Sequence, residues 1–191
     1  MAIADLSHKP MTVTLASEAA TRALAARLAG LARRGDVIAL QGDLGAGKTS
    51  FARGFINALP PLGATGPGAT GRRTAQPVAE EVPSPTFTLV QTYERTPAPV
   101  WHFDLYRLNA PEEAFELGLE EALAEAISLI EWPERLGPLL PAARLDVKLA
   151  FAAAPEQRLA SLRGGGDWPR RLSGLRLTGL SELDGDPLGD A

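Results

Sequence analysis

Cysteine is absent from all 191 residues, which excludes a disulfide-stapled secreted scaffold and a thiolate metal site. An excess of positive charge is also absent. The 19 Lys and Arg stand against 23 Asp and Glu, a formal net charge of −4, so the chain has no electrostatic footprint for wrapping nucleic acid. No apolar run is long enough to cross a bilayer, and the opening residues, MAIADLSHKP, hold no apolar signal core. The expected compartment is therefore the cytosol, with no membrane attachment. What is present is ordinary for a globular protein: 45% apolar residues in a length that favours one domain with a sizeable core.

Met11 to Leu15 (MTVTL) alternates as a strand does. Ser17 suits an N-cap and Glu18 the positive end of a helix in which Ala20, Leu24, Leu28 and Leu31 recur at helical spacing. Gly35 is its expected C-terminal glycine. Val37 to Leu40 (VIAL) has the unbroken apolar character of a strand buried on both faces of a parallel sheet. A glycine-rich turn and a helix from about Lys48 to Leu59 follow. Residues 60–81 are rich in Gly, Pro, Ala and Thr and show no apolar period. They are expected as a mobile insertion, either plainly disordered or a substrate lid.

Phe87 to Tyr93 and Val100 to Leu108 read as strands joined through Thr96 to Pro99 (TPAP), a hairpin or meander. Asn109 is placed to cap a helix with Pro111, Glu112 and Glu113 in its first turn. Ile127 to Ile130 (ISLI) is a further short apolar run, closed by Glu131. Glu134 to Leu140 reads as a short helix, Leu145 to Phe151 and Arg158 to Leu162 as strands, and Trp168 to Leu175 as another short helix. Residues 181–191 are acidic and glycine-rich and are expected as a disordered tail. The fold class is α/β, one domain over residues 1–180 with a mainly parallel central sheet flanked by helices.

Gly42-Asp43-Leu44-Gly45-Ala46-Gly47-Lys48-Thr49 fills every fixed position of G-x-x-x-x-G-K-[ST], between a buried strand and a helix. The glycines let backbone N–H groups turn inward on phosphate oxygens, and the start of the helix adds a positive dipole. Lys48 reaches the β- and γ-phosphates, and the Thr49 hydroxyl is suited to Mg²⁺. Together with Ser50 these residues form the candidate nucleotide cradle of a P-loop NTPase-like domain, with ATP and Mg²⁺ as its expected ligands. Such a site needs a carboxylate at the end of another apolar strand. Glu131 closes ISLI and fits. Asp104 lies within WHFDLYR with His102 and Tyr106 on its face at period 2, which spacing alone leaves open between a site and the wet face of a sheet. A lone His102 reads as a hydrogen-bonded structural residue. Trp132 reads equally as a core tryptophan or a nucleotide neighbour.

Four segments in this order, GDLGAGKT, SPTFTLV, HFDLYRL and LIEWPE, resemble the TsaE family (formerly YjeE). That family is the ATPase component of the bacterial system that makes N6-threonylcarbamoyladenosine (t6A) in tRNA. The resemblance spans about Thr12 to Phe151. The P-loop is common to many families, whereas the combination with SPTF, H-x-D-x-Y-R and I-E-W is specific. The resemblance implies a small α/β unit in which Ser84-Pro85-Thr86-Phe87 is a switch-like segment beside the γ-phosphate, with Thr86 its polar contact. Asp104 and Glu131 would be the catalytic and metal-side carboxylates alongside Thr49, Lys48 would act on the phosphates, and Trp132 would adjoin the nucleotide. The implied partners are TsaD and TsaB homologues, with tRNA reached only through them. Two departures, the longer 60–81 insertion and the residues after about Leu175, remove no motif residue.

Other readings stay open on residues alone. A small-molecule P-loop kinase would use 60–81 as its lid, with Arg72 and Arg73 on it, although no acceptor motif is visible. A GTPase would need an N/T-K-x-D segment, which the sequence does not contain. A non-catalytic nucleotide sensor is disfavoured by the intact Lys48, Thr49, Asp104 and Glu131.

Overall fold

Strand β2 (Val37–Gln41) is buried along VIAL, as an apolar run without alternation requires. In the computed structural model, which describes residues 10–63 and 80–180, this strand pairs in parallel with β5 (Ile127–Glu131) and with β6 (Leu145–Phe151). Strand β5 pairs in parallel with β4 (Val100–Asp104). The flanks are antiparallel: β3 (Val90–Tyr93) on β4, β7 (Arg158–Gly164) on β6, and β1 (Met11–Leu15) on β7. The sheet order is β1-β7-β6-β2-β5-β4-β3, and all strands except β3 and β7 point the same way. This is the mainly parallel α/β sheet of a P-loop NTPase-like fold.

Alternation along the strands builds a core on each face. Ile38 and Leu40 of β2, with Ile127 and Leu129 of β5, pack under α1 (Glu18–Ala29), α2 (Lys48–Ala58) and α5 (Trp168–Leu172). Val37, Phe103 and Ile130 face the opposite way, under α3 (Glu113–Glu116), α4 (Leu119–Glu125) and the 3₁₀ turns of Pro133–Leu139. Helices α1 and α2 approach closely at Gly54, where a Cβ would lie 2.6 Å from the Arg22 Cα. Arg171 makes two hydrogen bonds to the Asp36 carboxylate, at 2.6 and 2.7 Å, and so ties α5 to the turn that leads into β2. Among the described residues no helix is long and apolar enough to cross a membrane.

Several expectations are corrected. Helix α1 stops at Ala29 with Gly30 as its cap, because the Leu31 N–H bonds back to Leu28 in a tightened last turn. Gly35 belongs to a separate turn, where its N–H donates to the Ala126 carbonyl at 2.8 Å. Asn109 does not cap: the N-cap of α3 is Glu112, and the Asn109 N–H donates to the Glu113 carboxylate at 3.4 Å. Helix α4 was not expected; Gly118, at φ +80, turns the chain between α3 and α4 in a conformation costly for other residues. The helix expected at 134–140 is a pair of 3₁₀ turns broken at Gly137, and α5 ends at Leu172 rather than Leu175.

Strand β3 starts at Val90, β4 stops at Asp104, and β7 runs on to Gly164. The ends of the 60–81 insertion are fastened rather than loose. The Leu62 N–H donates to Glu94, the Thr96 N–H donates to Pro60, and Glu80 pairs with the buried Arg95 and with Asn57. Residues 64–79, with Arg72 and Arg73, and the 181–191 tail lie outside the described residues.

Candidate functional site

Because β2, β5 and β4 are parallel neighbours, their carboxyl ends finish along one edge of the sheet. Register aligns Leu40 with Glu131 and Glu131 with Asp104. The P-loop leaves β2 one residue later, so sequence positions 42, 104 and 131 converge. Asp104 is therefore a strand-end residue, not a mid-strand one. The face it shares with His102 is not wet either: His102 is fully buried and Asp104 is 4% exposed. A parallel sheet covered on both faces leaves polar side chains only the strand ends as a place to work.

A cleft of about 240 Å³ opens at this edge, lined among others by Lys48, Thr49, Thr86, Asp104, Glu131 and Trp132. Gly42 takes φ +140, and a Cβ there would run into the Leu149 carbonyl oxygen of the neighbouring strand, so the loop can leave the sheet here only as glycine. Lys48 opens α2 and is almost fully buried. Its ammonium donates to the carbonyls of Gly42 (2.6 Å) and Asp43 (2.9 Å) and lies 3.9 Å from the centre of the Trp132 ring. Burial lowers the Lys48 pKa, while Glu131, Asp104 and two further carboxylates oppose that shift. Leu44, Gly45, Gly47 and Ser50 line the cleft as well; Gly42 and Asp43 support the loop through their carbonyls, and Ala46 is buried beneath it.

The two carboxylates are held differently. Glu131 accepts the Thr49 hydroxyl at 3.0 Å and is 2.9 Å from His102 Nε2, both on the same oxygen. Asp104 anchors the SPTF segment: its Oδ2 accepts from Thr86 (2.7 Å) and Ser84 (3.1 Å), and its Oδ1 accepts from the Tyr106 N–H (3.3 Å). The segment reaches Asp104 through a turn closed by the Leu89 N–H on the Pro85 carbonyl, with Leu89 at φ 63. Trp132 also has a left-handed backbone, φ 58 and ψ 50, a conformation that costs a non-glycine residue on the order of 1–3 kcal/mol. Its ring lines the cleft and packs on Tyr106 with centroids 4.9 Å apart, so it is neither a deep core residue nor free.

Sequence reasoning did not assign Ser84, Tyr106 or His102 to the site. Ser84 lay within a named motif, whereas the His102 contact depends on a strand register that a single sequence does not display. Among the described residues lining the cleft, Lys48 is the only cation. Arg107 instead stacks on the exposed Phe87, 4.6 Å from its ring centre, and Arg135 points to the Leu108 carbonyl. A second hollow of about 250 Å³ continues past Gly45, Gly47 and Ser50, walled by Glu18, Thr21, Glu156 and Arg158. There the Ser50 hydroxyl donates to Glu18 at 2.9 Å. Hydrogen bonds from Arg22 and Ser50 hold the Glu18 carboxyl below its usual range.

Comparison with known proteins gives a consistent picture. Residues 15–159 match the family described as "Threonylcarbamoyl adenosine biosynthesis protein TsaE". The chain is similar to the Rickettsia conorii protein named "tRNA threonylcarbamoyladenosine biosynthesis protein TsaE", 41% identical over 149 residues that cover 78% of this chain and 75% of the relative. It is similar to the Bacillus subtilis protein of the same name, 36% identical over 140 residues covering 73% and 77%. Among solved structures it resembles Bacillus subtilis YdiB, with a TM-score of 0.62, 27% identity, and coverage of 93% of this chain and 99% of that one.

Proposed function

This chain belongs to the TsaE family, and we propose on that basis that it binds and hydrolyses ATP with Mg²⁺ in support of t6A formation in tRNA, acting through TsaD and TsaB homologues. The observation that carries the reading is the alignment of Leu40, Glu131 and Asp104 at the carboxyl edge of the sheet, with Thr49 bonded to Glu131. The Thr49 hydroxyl, the Asp104 and Glu131 carboxylates and the Lys48 ammonium line a cleft into which a helix N-terminus points, the donor set that a triphosphate and its metal require. Among the described residues no three His, Cys, Asp or Glu side chains gather to hold a metal alone. A hydroxyl and a carboxylate completed by phosphate oxygens and water suit Mg²⁺, which keeps much of its coordination outside the protein. Bound there, Mg²⁺ would neutralise charge between the β- and γ-phosphates.

In this reading the loop N–H groups and Lys48 bind the phosphates, and Lys48 exchanges its two loop carbonyls for phosphate oxygens. Thr49 and Glu131 hold the metal side. Asp104, through Ser84 and Thr86, keeps the SPTF segment against the γ-phosphate position. The second hollow past Ser50 has the place and polarity to take the nucleoside end. With Lys48 the only cation lining the cleft among the described residues, turnover by the isolated chain is slow, and a partner supplies or orders the missing charge, an effect worth orders of magnitude in phosphoryl transfer. Phosphorus NMR of the protein with ATP and Mg²⁺, alone and then with candidate acceptors, tests the reading. Release of inorganic phosphate without acceptor supports it. A new phosphoester signal that appears only with an acceptor would make the protein a kinase.

A further inference from the structure

We propose that His102 is a positioning residue, whose Nε2–H fixes the Glu131 carboxylate through Oε1 and leaves Oε2 as the oxygen that works in the cleft. The proposal rests on the ATPase reading given above. His102 is fully buried on β4 and does not line the cleft, so it acts only through its neighbour. Register places His102 beside Leu129 and Asp104 beside Glu131, which sets the imidazole one step behind the carboxylate on the same face of the sheet. Its Nε2 lies 2.9 Å from Glu131 Oε1, and the Thr49 hydroxyl donates to the same oxygen at 3.0 Å. An oxygen with two donors has used both of its lone-pair directions.

The tautomer follows from burial. At 2.9 Å from a carboxylate oxygen, Nε2 must carry a proton, since two bare acceptors would repel. Nδ1 is buried and has no partner among the described residues. A bare ring nitrogen there costs less than an unpaired N–H. Nε2 is therefore the donor of the pair, and the ring acts as a fixed donor. Without it, Glu131 keeps only the Thr49 contact and can rotate, so either oxygen can face the cleft.

Two variants separate positioning from simple packing. His102→Leu removes the donor and keeps bulk, whereas His102→Gln places an amide N–H at similar reach. Thermal unfolding and binding of a fluorescent ADP analogue establish that each is folded. If His102→Leu does not fold, His102→Asn, whose amide is too short to reach Glu131, takes its place. The expected result for the donor-less variant is turnover lowered about tenfold or more with nucleotide affinity within about threefold, and recovery of most of that turnover in His102→Gln. Wild-type turnover in a folded donor-less variant overturns the proposal, as does an equal loss in His102→Gln. Nitrogen NMR of the His102 ring gives a readout independent of hydrolysis: the proposal expects a protonated Nε2 and a bare Nδ1, and a proton on Nδ1 overturns it. If the wild-type protein hydrolyses no ATP, the ATPase reading fails, and the ring spectrum still decides the geometry.

Discussion

Lys48 shows how the site is set against stability. Its ammonium is almost fully buried with only two carbonyls to receive it, and burial lowers its pKa from the usual 10.5. A lysine whose folded pKa lies below its unfolded one binds fewer protons in the folded chain. Stability therefore rises with pH between those two values, and below that window the charged group is a constant penalty. Lys48→Met is accordingly expected to stabilise the ligand-free protein at neutral pH by about 1 kcal/mol while abolishing ATP binding. The gap between variant and wild type should narrow as pH approaches 10.5 from below. Calorimetric unfolding across pH, with nucleotide titration, checks both halves.

Three neighbouring side chains make a companion case. Thr49→Ala, Asp104→Asn and Glu131→Gln should each weaken Mg²⁺-dependent turnover more than nucleotide binding, because binding rests on the loop N–H groups and Lys48. A Mg²⁺ titration of turnover in each variant is the measurement. Unchanged metal dependence in Glu131→Gln would remove that residue from the metal side.

Elements place these residues, and their legibility in the sequence varied for physical reasons. VIAL, ISLI and Leu145–Phe151 could be read because strands within a parallel core leave long apolar runs or clean alternation. The end of β4 could not be read, since Leu105 and Leu108 continue the apolar pattern after the strand has stopped; they are buried in the second core from a turn. Asp104 consequently looked mid-strand. The start of β3 was obscured in the same way, by a local turn whose Phe87 is 84% exposed despite its apolar character. Gly54 makes a test at this scale. Alanine is the better helix former, yet Gly54→Ala should destabilise the protein by about 1–3 kcal/mol, because the added Cβ meets the backbone of α1. An unchanged or higher melting temperature would mean that α1 and α2 can move apart at little cost. The insertion is another element-scale case. Its ends are held by contacts of Leu62, Glu80 and Arg95, so deleting residues 64–76 should leave the melting temperature and ATP affinity close to wild type. Loss of ATP binding on deletion would instead favour a lid, and with it the kinase reading.

At the scale of the whole molecule, the motifs were visible one by one, but what joins them is topology. GDLGAGKT, SPTF, HFDLYR and LIEW are scattered over residues 42–132 and meet only because β2, β5 and β4 are parallel neighbours in one register. The His102–Glu131 contact is a product of that register, as is the closing of SPTF onto Asp104. Among the described residues the resulting cleft is lined by two carboxylates and one cation, which on the proposed ATPase reading leaves it short of positive charge at the γ-phosphate. Completion of the site by a partner is thus the central consequence. The most direct measurement is ATP hydrolysis by this chain with and without the purified TsaD–TsaB pair, run alongside repeated rounds of t6A formation on tRNA. Hydrolysis should be slow alone and faster with the pair, and multiple rounds of modification should depend on the wild-type chain and fail with Glu131→Gln even where that variant still docks. A pair that binds with no change in hydrolysis, together with modification that proceeds equally well without this chain, would contradict the proposed role and leave only nucleotide binding.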